Sequence, residues 1–531
     1  MDNSVTNSNR LMICLGIVAF IALLFCTVDI HNRPLHGDEG VNTIKFKILY
    51  GYGTFHYNPH EYHGPSLYYL SYPVMLANGL PSYAESTVGM YRFVPAFFLV
   101  GTIALLWFIR DGLGKDATVA AGLVTAFSPV FIFYGRYYIH EWLLVFFSMV
   151  MLVGIWRYLN NRTWQNAALI GVGLGMMHTT KETCIIAWFA MTIGCIYWWF
   201  VTRKENDEQI VRFTCTPIHA AVITLVAVVL SVLFFSAFFT YPDGVLDSIL
   251  TYKQYFVRAG GEGSYGLHDQ PWYYYLRMLA FSKAGPGPWF SEAPLLLFAV
   301  IGGIAPWISK WPLDGNRVWL RFLSIYTLIM VMVYSLIAYK TPWCILGMVH
   351  GMTLLAGVGV YALWQAGKNT HVRMMVRVCV VLLIGFLGWQ VYHANFKFPV
   401  DRRNPYLYSN PQRSMLEIPK RAETIASLHP EKMDMAVSLI GSDNWPLPFY
   451  LRAFPKLKHV IDPTPELLSA PLIIVDPDPD EKQLTDPDFF ERISTELSEK
   501  YHLEMKALRP RERRAIFIRK DLWDGFMKRQ K

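Results

Sequence analysis

The chain has 531 residues, of which 53% are hydrophobic, 15% aromatic and only 17% charged. That balance excludes an ordinary soluble enzyme and points to a bilayer. The formal charge of +8 comes from Lys and Arg scattered between apolar runs, not lining one face, so nucleic acid is excluded as a partner. Seven cysteines lie in or beside the apolar runs with no CxxC spacing, which leaves neither a disulfide framework nor a zinc ribbon.

A transmembrane helix needs about 20 mostly apolar residues to cross roughly 30 Å of hydrocarbon. About 11 runs qualify: 11–30, 89–109, 117–134, 140–158, 165–180, 184–202, 218–240, 291–308, 320–338, 343–364 and 375–393. No small-residue cleavage site follows the first run, where Val28, Asp29, Ile30 and His31 stand, so it reads as an uncleaved span. With the N-terminus cytoplasmic, thirteen Lys and Arg near span ends face inward, and the short outer loops hold only Arg136, Lys181 and Lys340. An odd number of spans then places the C-terminal tail outside, in an integral plasma (inner) membrane protein.

The predicted architecture is an all-α polytopic membrane domain over residues 1–395 and a small soluble α/β extracytoplasmic domain over 396–531. The membrane domain carries two long outer loops, 31–88 and 241–290. In the tail, 435–440, 472–475 and 515–518 read as strands, 413–428 and 487–501 as helices, and the Pro-Asp repeats at 476–480 as a turn. No internal repeat is evident, which disfavours a transporter built from recognisable repeats.

Ionisable groups at the membrane edge are costly, so their clustering is informative. They gather at four outer junctions: His36-Gly37-Asp38-Glu39-Gly40, Tyr134-Gly135-Arg136-Tyr137-Tyr138-Ile139-His140-Glu141, His178-Thr179-Thr180-Lys181-Glu182, and Tyr339-Lys340-Thr341-Pro342-Trp343. The three outer cations would hold an anion at the outer surface. Carboxylates opposite them suit a reaction in which a hydroxyl loses its proton and an anionic group leaves. A phosphate-linked lipid fits, because its tail can stay in the bilayer while its head reaches the outer face.

At these residues the sequence resembles the GT-C class of membrane glycosyltransferases, which use polyprenyl-phosphate sugars. It is most similar to the protein O-mannosyltransferase and aminoarabinose transferase branch, and within it to a subgroup tied to archaeal and bacterial glycan assembly (Agl23-like). Asp38-Glu39 after the first span resembles the Asp-Glu pair of the branch's first outer loop. Arg136 to Glu141 resembles its Arg-(x)4-Asp motif, with Glu in place of Asp. Gly173-Leu174-Gly175 through Lys181 resembles a Gly-rich helix ending in Lys. Lys340 to Gly347 resembles a Lys-x-Pro-x-Tyr-Leu-Leu-Pro run, departing at Cys344 and Gly347; His63-Gly64-Pro65-Ser66-Leu67-Tyr68-Tyr69 also belongs to the pattern. The similarity spans roughly residues 11–395, and the tail matches only around 445–452.

The resemblance implies an inverting glycosyltransferase moving a sugar from a polyprenyl-phosphate donor to a hydroxyl of a lipid, glycan or protein on the extracytoplasmic face. Asp38 would be the general base, with Glu39 positioning base or acceptor. Arg136, Lys181 and Lys340 would hold the donor phosphate, and Tyr137, His140, Glu141, Glu182 and His63 would support them. No cofactor is expected. A divalent metal at His36, His60 and His63 is the alternative use of the His-rich first loop, although its spacing matches no zinc motif.

Blander readings stand beside these. Gly171, Gly173 and Gly175 suit close helix packing, and the run from Arg509 to Arg514 suits a solvated face. Residues 260–266 suit a lid or a linker. A lipid-linked glycan flippase or transporter, or a flippase-associated protein, is the competing function. It calls for polar groups reaching the inner side, where the spans offer Trp156, Ile170 and Trp198.

Overall fold

The computed structural model describes residues 2–61, 63–203, 214–261, 268–367, 369–462, 464–477 and 489–530. Each of the eleven apolar runs contains a helix, but among the described residues eight of these helices are long and apolar enough to cross a membrane. The other three are shortened or bent for local reasons. In the third run, Lys115–Ala126 and Pro129–Gly135 meet at 63°. Proline at 129 lacks an amide hydrogen and pushes Ser128 into extended backbone, with ψ 117°, so the helix breaks and restarts. The fifth run forms Trp164–His178 and the eighth Ala293–Trp307; at about 1.5 Å per residue each falls short of the hydrocarbon thickness. Their shortened ends lie at His178 and Glu292, where the sequence turns polar.

The glycines of the fifth run serve packing. A Cβ on Gly173 would lie 2.7 Å from Met151 Cβ on the helix Glu141–Asn160, and Cβ atoms on Gly171 and Gly175 would strike the backbone of the helix Pro217–Phe235. Small residues at alternate positions thus let two neighbouring helices approach closely.

The chain divides into two compact units. The larger comprises Met1–Ile30, Leu49–Tyr72 and Arg92–Tyr408; the smaller comprises His31–Ile48, Pro73–Tyr91 and Ser409–Lys531. The 31–88 segment is therefore split between them, and it holds more regular structure than its sequence suggests. Gly37–Tyr52 is a helix whose start is closed by reciprocal capping. The His36 amide donates to Glu39 Oε2 at 2.9 Å, and His36 Nδ1 accepts from the Asp38 amide at 3.0 Å. Two donors of the kind left over at any helix start are satisfied. The sequence hides this device because histidine occupies the place usual for Ser or Thr.

The smaller unit is an α/β sheet domain. Its strands are β1 (Val437–Ile440), β2 (Leu457–Val460), β3 (Leu472–Val475), β4 (Tyr501–Arg509) and β5 (Glu512–Arg519), in spatial order β2-β1-β3-β5-β4. β1 runs parallel to β2 and β3, whereas β5 is antiparallel to β3 and β4. Every residue of β1 and β3 is buried, as expected for central strands covered on both faces, and the one polar side chain among them, Ser438, donates to Leu467 O at 2.7 Å. Ile418, Ala422 and Ile425 of the helix Glu417–Ala426 cover one face, with Leu522 and Phe526. Phe489, Ile493 and Leu497 cover the other. The helix expected over 487–501 is thus shorter, Phe489–Leu497, and its end becomes β4. The turn expected at 476–480 falls largely outside the described residues.

The basic run at 509–514 is a solvated face only in part, at Arg511 and Arg513. Arg509 donates to both carboxylate oxygens of Asp443, at 2.6 and 2.8 Å, and Arg514 reaches Asn444 Oδ1 at 2.8 Å and Asp476 Oδ1 at 3.2 Å. Both side chains are buried. The alternation of β5 turns Arg514 inward while Arg513 stays exposed. Burial opposes ionisation of Asp443, but Arg509 outweighs it and holds the carboxyl below its ordinary pKa.

Within this unit the first turn of Gly37–Tyr52 packs on Trp445 and Pro446. A Cβ at Gly40 would lie 2.8 Å from Pro446 Cβ and 3.0 Å from its Cα, whereas one at Gly37 would meet atoms only at 3.5 Å. Gly40→Ala is therefore expected to destabilise the protein by about 1–3 kcal/mol through overpacking, and Gly37→Ala to be milder. Thermal unfolding of the two purified variants checks this; equal melting temperatures would contradict the packing account.

Candidate active site

In the larger unit the polar junctions are assembled by helix ends. Lys181 follows the helix Trp164–His178, and its ammonium donates to Glu141 Oε1, the first residue of Glu141–Asn160. Cys344 Sγ lies 3.9 Å from the same nitrogen. The pair is buried, Lys181 being 4% exposed and Glu141 5%. Glu141 at a helix N-terminus is also favoured by the backbone dipole. Burial works against the Lys181 charge, but Cys344 and Glu141 outweigh it and hold the ammonium above its ordinary pKa.

Beside Lys181 in sequence, Glu182 anchors a second polar group. His63 Nδ1 lies 2.8 Å from Glu182 Oε2 and 2.9 Å from the Tyr255 hydroxyl, and the Tyr57 hydroxyl donates to Glu182 Oε1 at 3.2 Å. Burial opposes ionisation of Glu182, but His63 and Lys181 more than offset it, so its pKa is lowered. His140 Nε2 donates to Gly64 O at 3.1 Å, and its ring lies 5.3 Å from that of His63. The His63-Gly64-Pro65-Ser66 run is fastened to the 179–180 turn: the Ser66 amide donates to Thr179 O at 3.0 Å, and a Cβ on Gly64 would sit 2.1 Å from that oxygen. Only glycine permits the approach.

The other two junction cations, Arg136 and Lys340, are turned toward helix ends. Arg136 follows Pro129–Gly135 and donates to Phe25 O and Asp29 O at the end of Asp2–Thr27, with its guanidinium 4.7 Å from the Phe396 ring centre. It thus satisfies carbonyls of the kind left over at a helix C-terminus. Burial pulls its pKa down to about 10, which leaves it charged at neutral pH. Lys340 donates to Ile337 O just after Arg317–Leu336 and to Gln270 O of the second outer loop at 3.1 Å. Tyr137 stacks near Trp343, with ring centres 6.2 Å apart. The structure thus brings Lys181 to Glu141 and His63 to Glu182, while Arg136 and Lys340 bind backbone carbonyls.

The arrangement of membrane helices matches known proteins. ArnT from Cupriavidus metallidurans bound to undecaprenyl phosphate aligns over 96% of this chain and 98% of its own, with a TM-score of 0.60 and 14% identity. The same protein in the apo state gives 0.55, with coverage of 97% and 98% and 15% identity. Residues 85–239 match the family model described as dolichyl-phosphate-mannose-protein mannosyltransferase. The chain has an ArnT-like GT-C fold. A search of curated proteins finds no significant match.

The smaller unit carries the Asp-Glu pair, and the structure separates its two members. Glu39 is fully buried and engaged in capping, whereas the Asp38 side chain is 53% exposed and lies 3.8 Å from His36 Nδ1. The histidines each have other work. His36 caps its helix, His56 stacks on Tyr241 with ring centres 4.3 Å apart, and His60 bonds to Gln254. Among the described residues no group of three or more His, Cys, Asp or Glu is placed to hold a metal ion. The 260–266 loop lies largely outside the described residues.

One carboxylate escaped the sequence reading. Glu292 is fully buried and accepts from Ser128 Oγ at 2.6 Å, the Val130 amide at 2.9 Å and the Tyr406 hydroxyl at 2.8 Å. It ties the start of Ala293–Ile304 to the helix break that leads into Arg136. Its signal was present: it is the acid at the outer edge of an apolar run, the same logic that selects Glu141. Glu292→Ala leaves three buried donors unmade, each costing about 1–3 kcal/mol. Its melting temperature is expected to fall clearly, with Glu292→Gln falling less because an acceptor oxygen remains. Equal losses for the two variants would contradict this account.

Proposed function

We propose that the protein is an inverting glycosyltransferase that moves a sugar from a polyprenyl-phosphate donor to a hydroxyl acceptor on the extracytoplasmic face. The observation that carries this reading is the buried Lys181–Glu141 pair at converging helix ends of a GT-C fold. A charge kept out of water at a span junction is costly unless it is used or paired. The fold's neighbour ArnT has been captured with undecaprenyl phosphate, which supports a lipid phosphate as the donor's anchor.

In this mechanism Asp38 accepts the proton of the acceptor hydroxyl as its oxygen attacks the anomeric carbon. The bond to the phosphate oxygen breaks on the opposite face, which inverts the centre. The lipid phosphate leaves as an anion, and Lys181 and Arg136 stabilise the charge that develops on it. Glu141 holds the Lys181 ammonium in place, and Lys340 assists through the sugar-phosphate linkage. Phosphate is a good leaving group, so no strong acid is needed. Residues 31–88 face the extracytoplasmic side in this reading, with the N-terminus in the cytoplasm.

The test is a transfer assay on the purified protein in nanodiscs, offered mannosyl- and aminoarabinosyl-phosphoryl polyprenols with lipid, glycan and peptide acceptors. Mass spectrometry of co-purifying lipid identifies the natural donor. Product of inverted configuration, formed equally with and without EDTA, is the expected result. Failure with every lipid-phosphate donor would overturn the reading, and loss of activity in EDTA with rescue by a divalent cation would bring the histidines back as ligands.

A further inference from the structure

The smaller unit carries a cleft that the transfer chemistry leaves unused. It has a volume of about 320 Å³ and lies between Phe489–Leu497, the start of β4 and the C-terminal helix Lys520–Gln530. Phe517, Ser494, His502, Lys520, Trp523 and Asp524 are among the residues that line it. The volume is at the lower end of the range for small-molecule sites, roughly 300–1,000 Å³.

Three features describe the ligand. First, Ser494 Oγ is buried with no hydrogen-bond partner among the described residues, and buried hydroxyls are nearly always paired. Second, the His502 ring lies flat on Trp523, with centres 3.7 Å apart and planes 10° from parallel. That makes a rigid aromatic wall with a polar edge. Third, the exposed side chains carry opposite charges, Lys520 as donor and Asp524 as acceptor. An anion is repelled by Asp524 and a cation by Lys520. A neutral polyhydroxylated ring satisfies both, because each hydroxyl can donate and accept.

We propose that this cleft binds a neutral sugar unit of a glycan, apart from the residues that carry out transfer. Its use in presenting a glycan acceptor rests on the glycosyltransferase reading; its binding of sugar does not. The experiment is saturation-transfer NMR on the full-length protein in nanodiscs. The probes are mannobiose, cellobiose and diacetylchitobiose, with glucuronate and inorganic phosphate as anionic probes. At least one neutral disaccharide is expected to bind, and His502→Ala and the surface pair Lys520→Ala/Asp524→Ala are each expected to weaken it at least tenfold. Neither variant touches a residue assigned to transfer, so transfer to a small soluble acceptor should be unchanged. Absence of binding by every neutral probe, binding indifferent to both variants, or preference for the anions would overturn the proposal. Sugar binding by a chain that transfers nothing would leave the cleft standing and remove the transfer reading; transfer without sugar binding would do the reverse.

Discussion

Asp38→Asn is expected to slow transfer by about 10²- to 10⁴-fold, the usual weight of a positioned proton acceptor, while leaving the protein folded. The side chain is half-exposed, and the amide bond to His36 belongs to the backbone of residue 38, which Asn keeps. Stability should therefore change by no more than about 0.5 kcal/mol, as for most surface replacements. Glu39→Gln makes the contrast. Its side chain completes the helix cap, and Gln can do the same, so transfer should fall much less than in Asp38→Asn. Rate measurements with saturating donor, paired with melting curves, separate the cases. Full turnover by a folded Asp38→Asn protein would move the base elsewhere, and equal losses in both variants would remove the distinction drawn between the two side chains.

The second large effect is expected at the Lys181–Glu141 pair. Removing one member leaves the other buried without its counter-charge, which typically costs about 3–5 kcal/mol. Lys181→Met should therefore lower both stability and donor use. The double variant Lys181→Met/Glu141→Gln removes both charges, so most of the stability should return. Transfer should not return, because the phosphate would still lack its cation. A double variant that regains donor affinity along with its melting temperature would make the pair structural only.

The pH dependence of this region follows from the same contacts. The Lys181 pKa is raised, so its contribution is complete below the ordinary lysine value of about 10.4 and is lost only as pH rises through the folded value. The Glu182 pKa is lowered, so its contribution is complete above about 4.3 and is lost as pH falls through the folded value. Stability of the larger unit should thus be level across neutral pH and decline on acidification. A steep loss between pH 7 and 9 would contradict these assignments.

Much of this was legible because each reading rested on a local cost. Charged residues at span ends are expensive, and that alone singled out Lys181, Glu141 and Glu182. The strands at 437–440 and 472–475 were legible because they are short, mainly apolar and rich in Val, Ile and Leu, too short for a helix that could bury itself. Other features depended on partners remote in sequence. Arg514 reads as a surface cation until Asp476 and Asn444 are brought beside it. The helix at Gly37–Tyr52 was hidden because its cap uses histidine; the place of Glu292 at the edge of an apolar run was legible, but its partners were not, because its three donors come from residues 128, 130 and 406.

By itself the sequence determined that this chain belongs in a membrane and where its charged residues stand along the chain, because a helix that crosses hydrocarbon must be long and apolar and each stray charge in it is penalised. Only the tertiary structure decided which cations are paired with carboxylates and which close the ends of helices. It also decided that Asp38 stays open while Glu39 is consumed in capping. Those outcomes depend on distances between segments far apart in the chain, and periodicity along a chain carries no record of such distances.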